Sequence, residues 1–231
     1  MQRRNFTAGL SSLVAIVSAW AVPFSARADL SEGDAASGIR AALQRGAESA
    51  VGLLGKTDGF AGNPLVRIPL PGFLNEIAKV AKYTGQQAKV DELITAMNRA
   101  AEAAVPEAKT LLVNAVKGMS VSDAKRVLTG GDGSVTAFFA EKTRSALSTK
   151  FLPIVTKATD KVALADKYNA LAGKASGMGL LKKEDANIQQ YVTGKTLDGL
   201  YLMIGEEEKK IRKDPIGTGS AILSRVFGSL K

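Results

Sequence analysis

Apolar residues recur at helical spacing in almost every segment of this sequence, and no segment shows a convincing strand alternation. One such stripe precedes a glycine at position 55: Ile39, Leu43, Ala47, Val51 and Leu54. A second stripe lies within residues 86–104: Val90, Ile94, Met97, Ala101 and Ala104. The pattern predicts an all-α fold of seven to nine helices.

Glycine and proline mark where the predicted helices end. Residues 56–72 contain three prolines and three glycines, which favour an irregular loop with a short extended piece at "VRIPL". A helix is then expected at 73–84, and Pro106 suits the first turn of a helix that ends at Gly118. Ser120 and Asp123 have capping-box spacing for a short helix that ends at Thr129.

The second half of the chain continues the helical pattern. "GGDG" interrupts it before a helix that Asp132 or Ser134 would cap, and residues 149–172 carry a further pattern with room for a break. Asp185 is expected to cap a short helix through Tyr191, before a longer helix that ends in "EEEKKIRKDP". Two i,i+4 pairs are expected there, Glu206 with Lys210 and Glu208 with Arg212.

The last segment predicts an amphipathic helix that begins after Asp214-Pro215. Docking on its own bundle and lying in a membrane interface are alternatives for its apolar face, and docking is favoured. We find no internal repeat and no linker long enough to separate two domains. Residues 29–231 are therefore expected to form a single compact domain.

Residues 1–28 have the order of a secretory signal peptide. Arg3 and Arg4 precede an apolar run from about Leu10 to Val22, and Ala26-Arg27-Ala28 supplies an A-x-A site, so cleavage after Ala28 is expected. The run is shorter than the roughly 20 residues that span a bilayer as a helix. "RRNF" is typical of a twin-arginine signal, although two arginines also begin ordinary export signals.

Removal of this segment changes the composition. It contains three of the 31 basic residues and none of the 22 acidic ones, so the net charge falls from +9 to +6. Trp20, the one tryptophan, leaves with it. Further along, no apolar run reaches transmembrane length, so no spanning segment is expected in the mature chain.

Cysteine and histidine are both missing from the sequence. This composition excludes Ser-His-Asp and Cys-His nucleophilic sites, zinc sites built on Cys or His, and haem with ordinary axial ligands. We accordingly predict neither a metal nor an organic cofactor. Basic residues neither cluster in runs of four nor alternate with aromatics, so nucleic acid is not an expected partner.

Five blocks of the sequence resemble, in order, a family of exported bacterial proteins known as domain of unknown function 4197: "IPLPGFLNEI", "MNRAAEAAVPEA", "MSVSDAKRVLTGGDGSVTAFF", "YVTGKTLDGLYLMIGEEEKKIRKDP" and "RVF". The resemblance covers nearly all of the mature chain. It implies an exported helical protein from a Gram-negative bacterium, located in the periplasm, and it implies no activity. One departure is Gly133-Ser134-Val135, where the family pattern is alanine-rich.

Polar residues on two predicted helices are candidates for a binding site. Asp91, Thr95, Asn98 and Glu102 share one helical face, with Arg99 beside Glu102 at i,i+3. Asn98, Arg99 and Glu102, together with Glu208 and Arg212, could line a groove. The row on the first helix is more often simply the edge of a solvated face. For Arg99 and Glu102 a buried ion-pair network is favoured over a groove, with the two residues paired to each other or placed near Arg212.

Two other motifs have weaker functional interpretations. The turn "TGGDGSVT" lacks the lysine of a phosphate loop and has too few acids for calcium, so a helix-to-helix turn is favoured. The run 206–208 supplies carboxylates that a glycoside hydrolase could use, but the cations around it favour a solvated helix end.

These observations favour a non-catalytic binding or structural protein of the cell envelope, whose partner is an envelope protein or an anionic envelope component. A carboxylate-based enzyme acting on a cell-wall glycan and a peripheral lipid-binding protein are the alternatives. Two carboxylates in a cleft would favour the enzyme, an apolar cavity the lipid, and a filled core a protein partner.

Overall fold

A computed structural model describes residues 32–72, 74, 78, 82–179 and 187–214. Seven α-helices and one 3₁₀ turn have described bounds: α1 (Glu32–Leu54), α2 (Gln87–Ala104), the turn (Val105–Glu107), α3 (Ala108–Lys117), α4 (Val121–Thr129), α5 (Ser134–Thr159), α6 (Ala163–Gly177) and α7 (Ile188–Lys213). No strand occurs in these residues. The prediction of an all-α fold is confirmed.

The longest helices, α5 and α7, form the centre of the molecule. Each has 26 residues, and they pack along one another more extensively than any other described pair. Their contact buries large side chains, among them Phe138, Phe139, Phe151, Leu200 and Tyr201. Since α2 also packs on α5 and α1 on α7, the central pair positions most of the remaining chain.

The loop 55–72 is irregular, as predicted, and it sends some of its side chains into the core while others stay exposed. Phe60 is fully buried, and Ile68 farther along the loop is buried as well. The predicted extended piece does not pair as a strand. Instead the backbone of Ile68 bonds to the side chain of Asn98 on α2.

Several predicted helix ends are correct. Gly55 donates its N–H to Val51 as α1 ends, Gly118 follows α3, and the Ser120–Asp123 capping box opens α4. Asp185 and the last predicted helix lie outside the described residues, as does most of the helix expected at 73–84.

Other boundaries differ from the prediction. Gly133, with φ of 87°, precedes α5 without a side-chain cap, because the Ser134 hydroxyl donates to Val127 O at 2.7 Å instead. The predicted helices on either side of Tyr191 form one helix, α7, which Asn187 caps by accepting from Gln190 N at 2.8 Å. By contrast, the break for which the pattern over 149–172 left room is present, at residues 160–162 between α5 and α6.

Candidate functional site

The five predicted site residues lie in two separate groups. Asn98, Arg99 and Glu102 lie on α2 against the loop 55–72, whereas Glu208 and Arg212 lie near the end of α7. Phe60, whose N–H bonds Glu102, packs against Gly199. Arg212 is thirteen residues farther along the same helix, a rise of about 20 Å. The predicted placement of Arg99 and Glu102 near Arg212 is therefore wrong.

Glu102 anchors the turn that carries Phe60 into the core. Its side chain is 5% exposed, and its Oε1 accepts from Phe60 N at 3.0 Å and from Ala61 N at 3.1 Å. Its Oε2 accepts from Arg99 Nη1 at 2.6 Å, which confirms that these two residues pair. Buried backbone N–H groups need partners, and a carboxylate can serve two of them at once.

Arg99 extends this network to the surface. Its Nη2 donates to Asp58 Oδ1 at 2.7 Å, and the hydrogen bond to Glu102, helped by that to Asp58, raises the pKa of the guanidinium. Asp58 has φ of 64°, a conformation that residues other than glycine adopt rarely. The ion pair thus helps to hold a tight turn.

The side chain of Asn98 forms hydrogen bonds to both backbone groups of Ile68, as a neighbouring β-strand would. Its Oδ1 accepts from Ile68 N at 2.9 Å, and its Nδ2 donates to Ile68 O at 3.0 Å and to Ile94 O at 2.8 Å. The side chain is fully buried. Asp91 and Thr95, earlier on the same face, are exposed, so the polar row runs from solvent into the core.

Glu208 and Arg212 connect the end of α7 to α4 and α5. Arg212 Nε donates to Glu208 Oε1 at 2.7 Å, as predicted, while Nη2 donates to Val127 O at 2.8 Å near the end of α4. A cation at this position also compensates the negative end of the α4 dipole. Burial raises the pKa of Glu208, against the opposing effect of Arg212.

The neighbouring carboxylates differ in part from the prediction. Glu206 pairs with Lys209 and not with Lys210, at 2.8 Å. Glu207 pairs with Lys210 and accepts from Ser49 on α1 at 2.9 Å. All three glutamates of the run form ion pairs with lysine or arginine side chains. Glu207 also connects α7 to α1.

Both groups of predicted residues make hydrogen bonds that position backbone. Their short contacts join α2 to a loop and α7 to two helix ends. The geometry supports a structural role for them.

A groove lined by both polar and apolar side chains runs between α5 and α7 on the outer side of their contact. We call it the α5–α7 groove, a hollow of about 790 Å³, within the range of pockets that hold small ligands. Its lining residues come from both helices: Ala140, Glu141, Arg144, Ser145, Ser148, Thr149, Leu152, Gln190, Thr193, Gly194 and Leu197. Gly194 adds no side chain to the lining, and a Cβ built there would meet nothing within 4 Å, so the space beside it is open.

Thr193 is the unusual residue of this groove. Its side chain is 3% exposed, and Oγ1 has no hydrogen-bond partner among the described residues. By contrast Thr196, one turn on, donates to Val192 O at 2.7 Å. Leaving a buried hydroxyl unpaired costs about 1–3 kcal/mol. Because Thr193 is also a lining residue of the groove, this unpaired hydroxyl lies just beneath the groove surface.

One end of the groove is formed by an ion pair over an aromatic ring. Arg144 Nη2 donates to Asp198 Oδ1 at 2.8 Å, and its Cζ lies 5.2 Å from the centre of the Tyr201 ring. Burial raises the pKa of Tyr201, whose hydroxyl meets Thr143 Oγ1 at 3.0 Å. Beyond Arg144 lies a second hollow of about 480 Å³ that includes Thr136 and Lys209. The Arg144–Asp198 ion pair therefore separates two hollows that lie along the same contact between α5 and α7.

The sequence contains only a faint signal for this groove, and the predicted site residues do not include any of its lining. Ser145, Ser148 and Thr149 share one face of α5, and Gln190, Thr193 and Gly194 share one face of α7. Each set looks like ordinary solvent-facing polarity by itself. Only the pairing of the two helices brings the sets together.

The comparisons with known proteins agree with the sequence resemblance. The model of the family described as protein of unknown function (DUF4197) matches residues 29–228. The chain belongs to this family. For this family member, neither a curated protein nor a solved structure gives a match.

Metal ligation and membrane insertion are two other ways in which this DUF4197 protein could act. In the described ranges, no group of three or more acidic side chains is arranged to hold a metal ion. Among the helices that the structure describes, none combines the length and apolar character needed to cross a membrane.

Proposed function

We propose that this protein is an exported, periplasmic, non-catalytic binding protein of the cell envelope and that the α5–α7 groove is its ligand site. The buried hydroxyl of Thr193, which has no partner among the described residues, is the observation that carries the proposal. The protein has left a polar group unsatisfied where side chains from two helices surround an open space. Buried polar groups without a hydrogen-bond partner are uncommon in native structures, and each one requires an explanation. A ligand that supplies the missing hydrogen bond is the explanation that we propose.

Export is supported by two independent features. Residues 1–28 have the order of a cleavable signal, with an arginine pair suited to the twin-arginine route. The family match begins at residue 29, directly after the expected cleavage site. A signal is removed while the folded domain is retained, so this coincidence is what a secreted protein would show.

The electrostatics of the groove favour binding over hydrolysis. A glycoside hydrolase needs a carboxylic acid whose pKa is raised. The hydrogen bond from Lys142, supported by Arg126, lowers the pKa of Glu141 instead. Asp198 is held by Arg144. Glu208, whose pKa is raised, is bonded to Arg212 at the far end of α7.

The apolar hollows favour a polar ligand over a lipid. The hollow beside Glu208, lined by Ile39, Leu43 and Ile204 among others, has a volume of about 20 Å³. That is roughly the space of one water molecule. An acyl chain would not fit there. The second apolar hollow, between α1 and α4 beside Val121 and Leu128, has a volume of about 170 Å³, which is below the roughly 300 Å³ at which small-ligand pockets begin.

Site-specific crosslinking in the periplasm tests the proposal. A photoreactive amino acid at Ser148, inside the groove, should capture envelope material that the same group at Thr95, exposed on α2, does not capture. Gly194→Leu, which fills the groove from open space, should abolish capture at Ser148. Equal capture at both positions, or capture unaffected by Gly194→Leu, would reject the groove as the site.

A further inference from the structure

We infer that the α5–α7 groove recognises an uncharged glycan, an inference that rests on the proposed function. The first argument is the charge balance of the groove. Arg144 is paired with Asp198 at 2.8 Å, and Glu141 with Lys142 at 3.1 Å and Arg126 at 3.2 Å. A charged ligand would have to compete with these ion pairs. A neutral ligand leaves all of them intact.

The second argument is the kind of hydrogen-bonding groups that line the groove. Hydroxyl groups come from four residues and an amide from one: Ser145, Ser148, Thr149, Thr193 and Gln190. A hydroxyl both donates and accepts, and an amide offers both functions on separate atoms. Sugars present the same mixture, since each ring carries several hydroxyls and amino sugars add an acetamide. Ala140 and Leu152 lie among these groups and could contact the C–H faces of a ring.

The third argument distinguishes a glycan from a peptide. Peptides are commonly held as an added strand on a sheet edge or by apolar anchors in an apolar groove. The described residues contain no strand. Within the groove, Leu197 is only 2% exposed, so Leu152, at 37%, supplies the large apolar contact, and it is not enclosed in an apolar pocket of the kind that holds a peptide anchor. Polar contacts along two helices suit a linear chain of sugars better.

Thr193 would be the anchor of this interaction. Thr193 lines the groove, and its hydroxyl, which is closed off from solvent, makes no bond to the described protein. Rotation of the side chain about χ1 would turn this hydroxyl toward a bound sugar, and it is the group that gains most from a ligand hydroxyl. The lining residues from 190 to 197 and from 145 to 152 each extend about 10 Å along their helices. The groove can therefore follow a short oligosaccharide rather than a single sugar.

The test uses the mature chain and chitotetraose, a neutral oligomer of N-acetylglucosamine, as the probe. We expect the amide resonances of residues 145–149 and 190–197 to shift on titration. Thr193→Val should raise the Kd about five- to tenfold, the effect of one neutral hydrogen bond. Gly194→Leu should abolish the shifts. Thr196→Val, which removes a buried hydroxyl that already has a partner, is the matched control and should leave the Kd unchanged.

Two further probes separate this inference from the proposal on which it rests. An anionic oligogalacturonate and an acetylated, amidated tetra-alanine peptide should not shift the groove resonances. If the peptide or the anion binds and chitotetraose does not, the glycan inference is overturned while the groove stands. If no probe binds but crosslinking at Ser148 remains sensitive to Gly194→Leu, the glycan inference is again overturned and the proposed function is kept. Loss of both effects overturns both.

Discussion

Individual polar side chains hold the irregular backbone of this protein in place. Asn98 and Glu102, one helical turn apart on α2, supply hydrogen bonds to Ile68, Phe60 and Ala61 of the loop 55–72. A loop inside a core would otherwise leave buried N–H and C=O groups without partners. These two residues therefore allow Phe60 and Ile68 to enter the core from an irregular segment.

Replacing Glu102 by Ala should lower the free energy of unfolding by about 3 kcal/mol, because it leaves two backbone N–H groups without an acceptor and Arg99 without its buried partner. Urea melts of the variant and the wild type measure the difference. Glu92→Ala, on an exposed position of the same helix, is the control and should stay within about 0.5 kcal/mol. A loss below about 1 kcal/mol for Glu102→Ala would show that the network is not stabilising.

Two glycines of α7 should respond to alanine with opposite signs. Gly194 faces the open groove, so Gly194→Ala should stabilise the protein by roughly 1 kcal/mol through helix propensity. A Cβ at Gly199 would lie 2.9 Å from Cε1 of the fully buried Phe60. Gly199→Ala should therefore destabilise by about 1–3 kcal/mol. Thermal melts of both variants measure these effects. Shifts of the melting temperature in the same direction for both variants would contradict the described packing.

At the scale of elements, α4 shows how a short helix is held at both ends. It has nine residues, too few to be stable alone. The Ser120–Asp123 capping box satisfies its first N–H groups, and Arg212 from α7 binds the Val127 carbonyl near its last turn. A local sequence motif secures one end and a distant residue secures the other.

Ser120→Ala should destabilise the protein by about 1 kcal/mol, the usual value of a serine cap. The hydrogen bond from the Ser120 hydroxyl is the main reason that the pKa of Asp123 is lowered, so this pKa should rise in the variant. Stability from a lowered carboxyl pKa is present above the ordinary value and lost as the pH falls through the folded value. The difference in the free energy of unfolding between wild type and variant should therefore become smaller at acidic pH. Carbon-detected NMR of the carboxyl and urea melts at two pH values measure both effects.

Glu208 at the end of α7 should show the opposite pH dependence. Burial raises its folded pKa, with a smaller contribution from Asp132 and opposition from Arg212. The folded state then binds more protons than the unfolded state between the ordinary and the raised value, so stability falls as the pH rises through that window. Glu208→Gln removes the titrating group and should therefore abolish this decrease in stability with rising pH. Urea melts are compared at a pH below the ordinary glutamate pKa and at neutral pH. The free energy of unfolding of the variant, relative to that of the wild type, should be higher at neutral pH than at the acidic pH. A gain at the lower pH would refute the assignment.

At the scale of the whole molecule, one central helix pair serves two purposes. The inner side of α5 and α7 carries the large side chains of the core, while their outer side carries small and hydroxyl side chains that leave the α5–α7 groove. The surrounding helices and the buried residues of the loop pack on this pair. The α5–α7 groove, which we propose as the ligand site, therefore lies on the two helices that form the centre of the core.

The mature protein recovered from the periplasm should begin at Asp29 and show no tryptophan fluorescence, because Trp20 lies in the segment expected to be removed. Intact mass measurement and an emission spectrum check the two statements independently. Uncleaved precursor, expressed without export, is the control and should retain both the mass and the emission. A periplasmic product that keeps residues 1–28 would falsify cleavage.

The sequence was sufficient for what depends on neighbours along the chain. Helical periodicity predicted the all-α class, and the Ser120–Asp123 spacing, Gly55 and Gly118 predicted helix ends that the structure confirms. The Glu208–Arg212 pair and the pairing of Arg99 with Glu102 also follow from spacing on one helix. These features are local because helix hydrogen bonds and caps join residues within about one turn.

Tertiary structure alone decided everything that joins distant segments. Asn98 bonds a loop residue thirty positions away, and Arg212 reaches a carbonyl on α4 that no local pattern indicates. One helical face of α7 that looks solvent-exposed in sequence became half of the α5–α7 groove only because α5 lies beside it. Burial left Thr193 without a partner among the described residues for the same reason. Periodicity specifies which face of a helix is polar, but the choice of neighbour depends on how all the apolar faces pack at once.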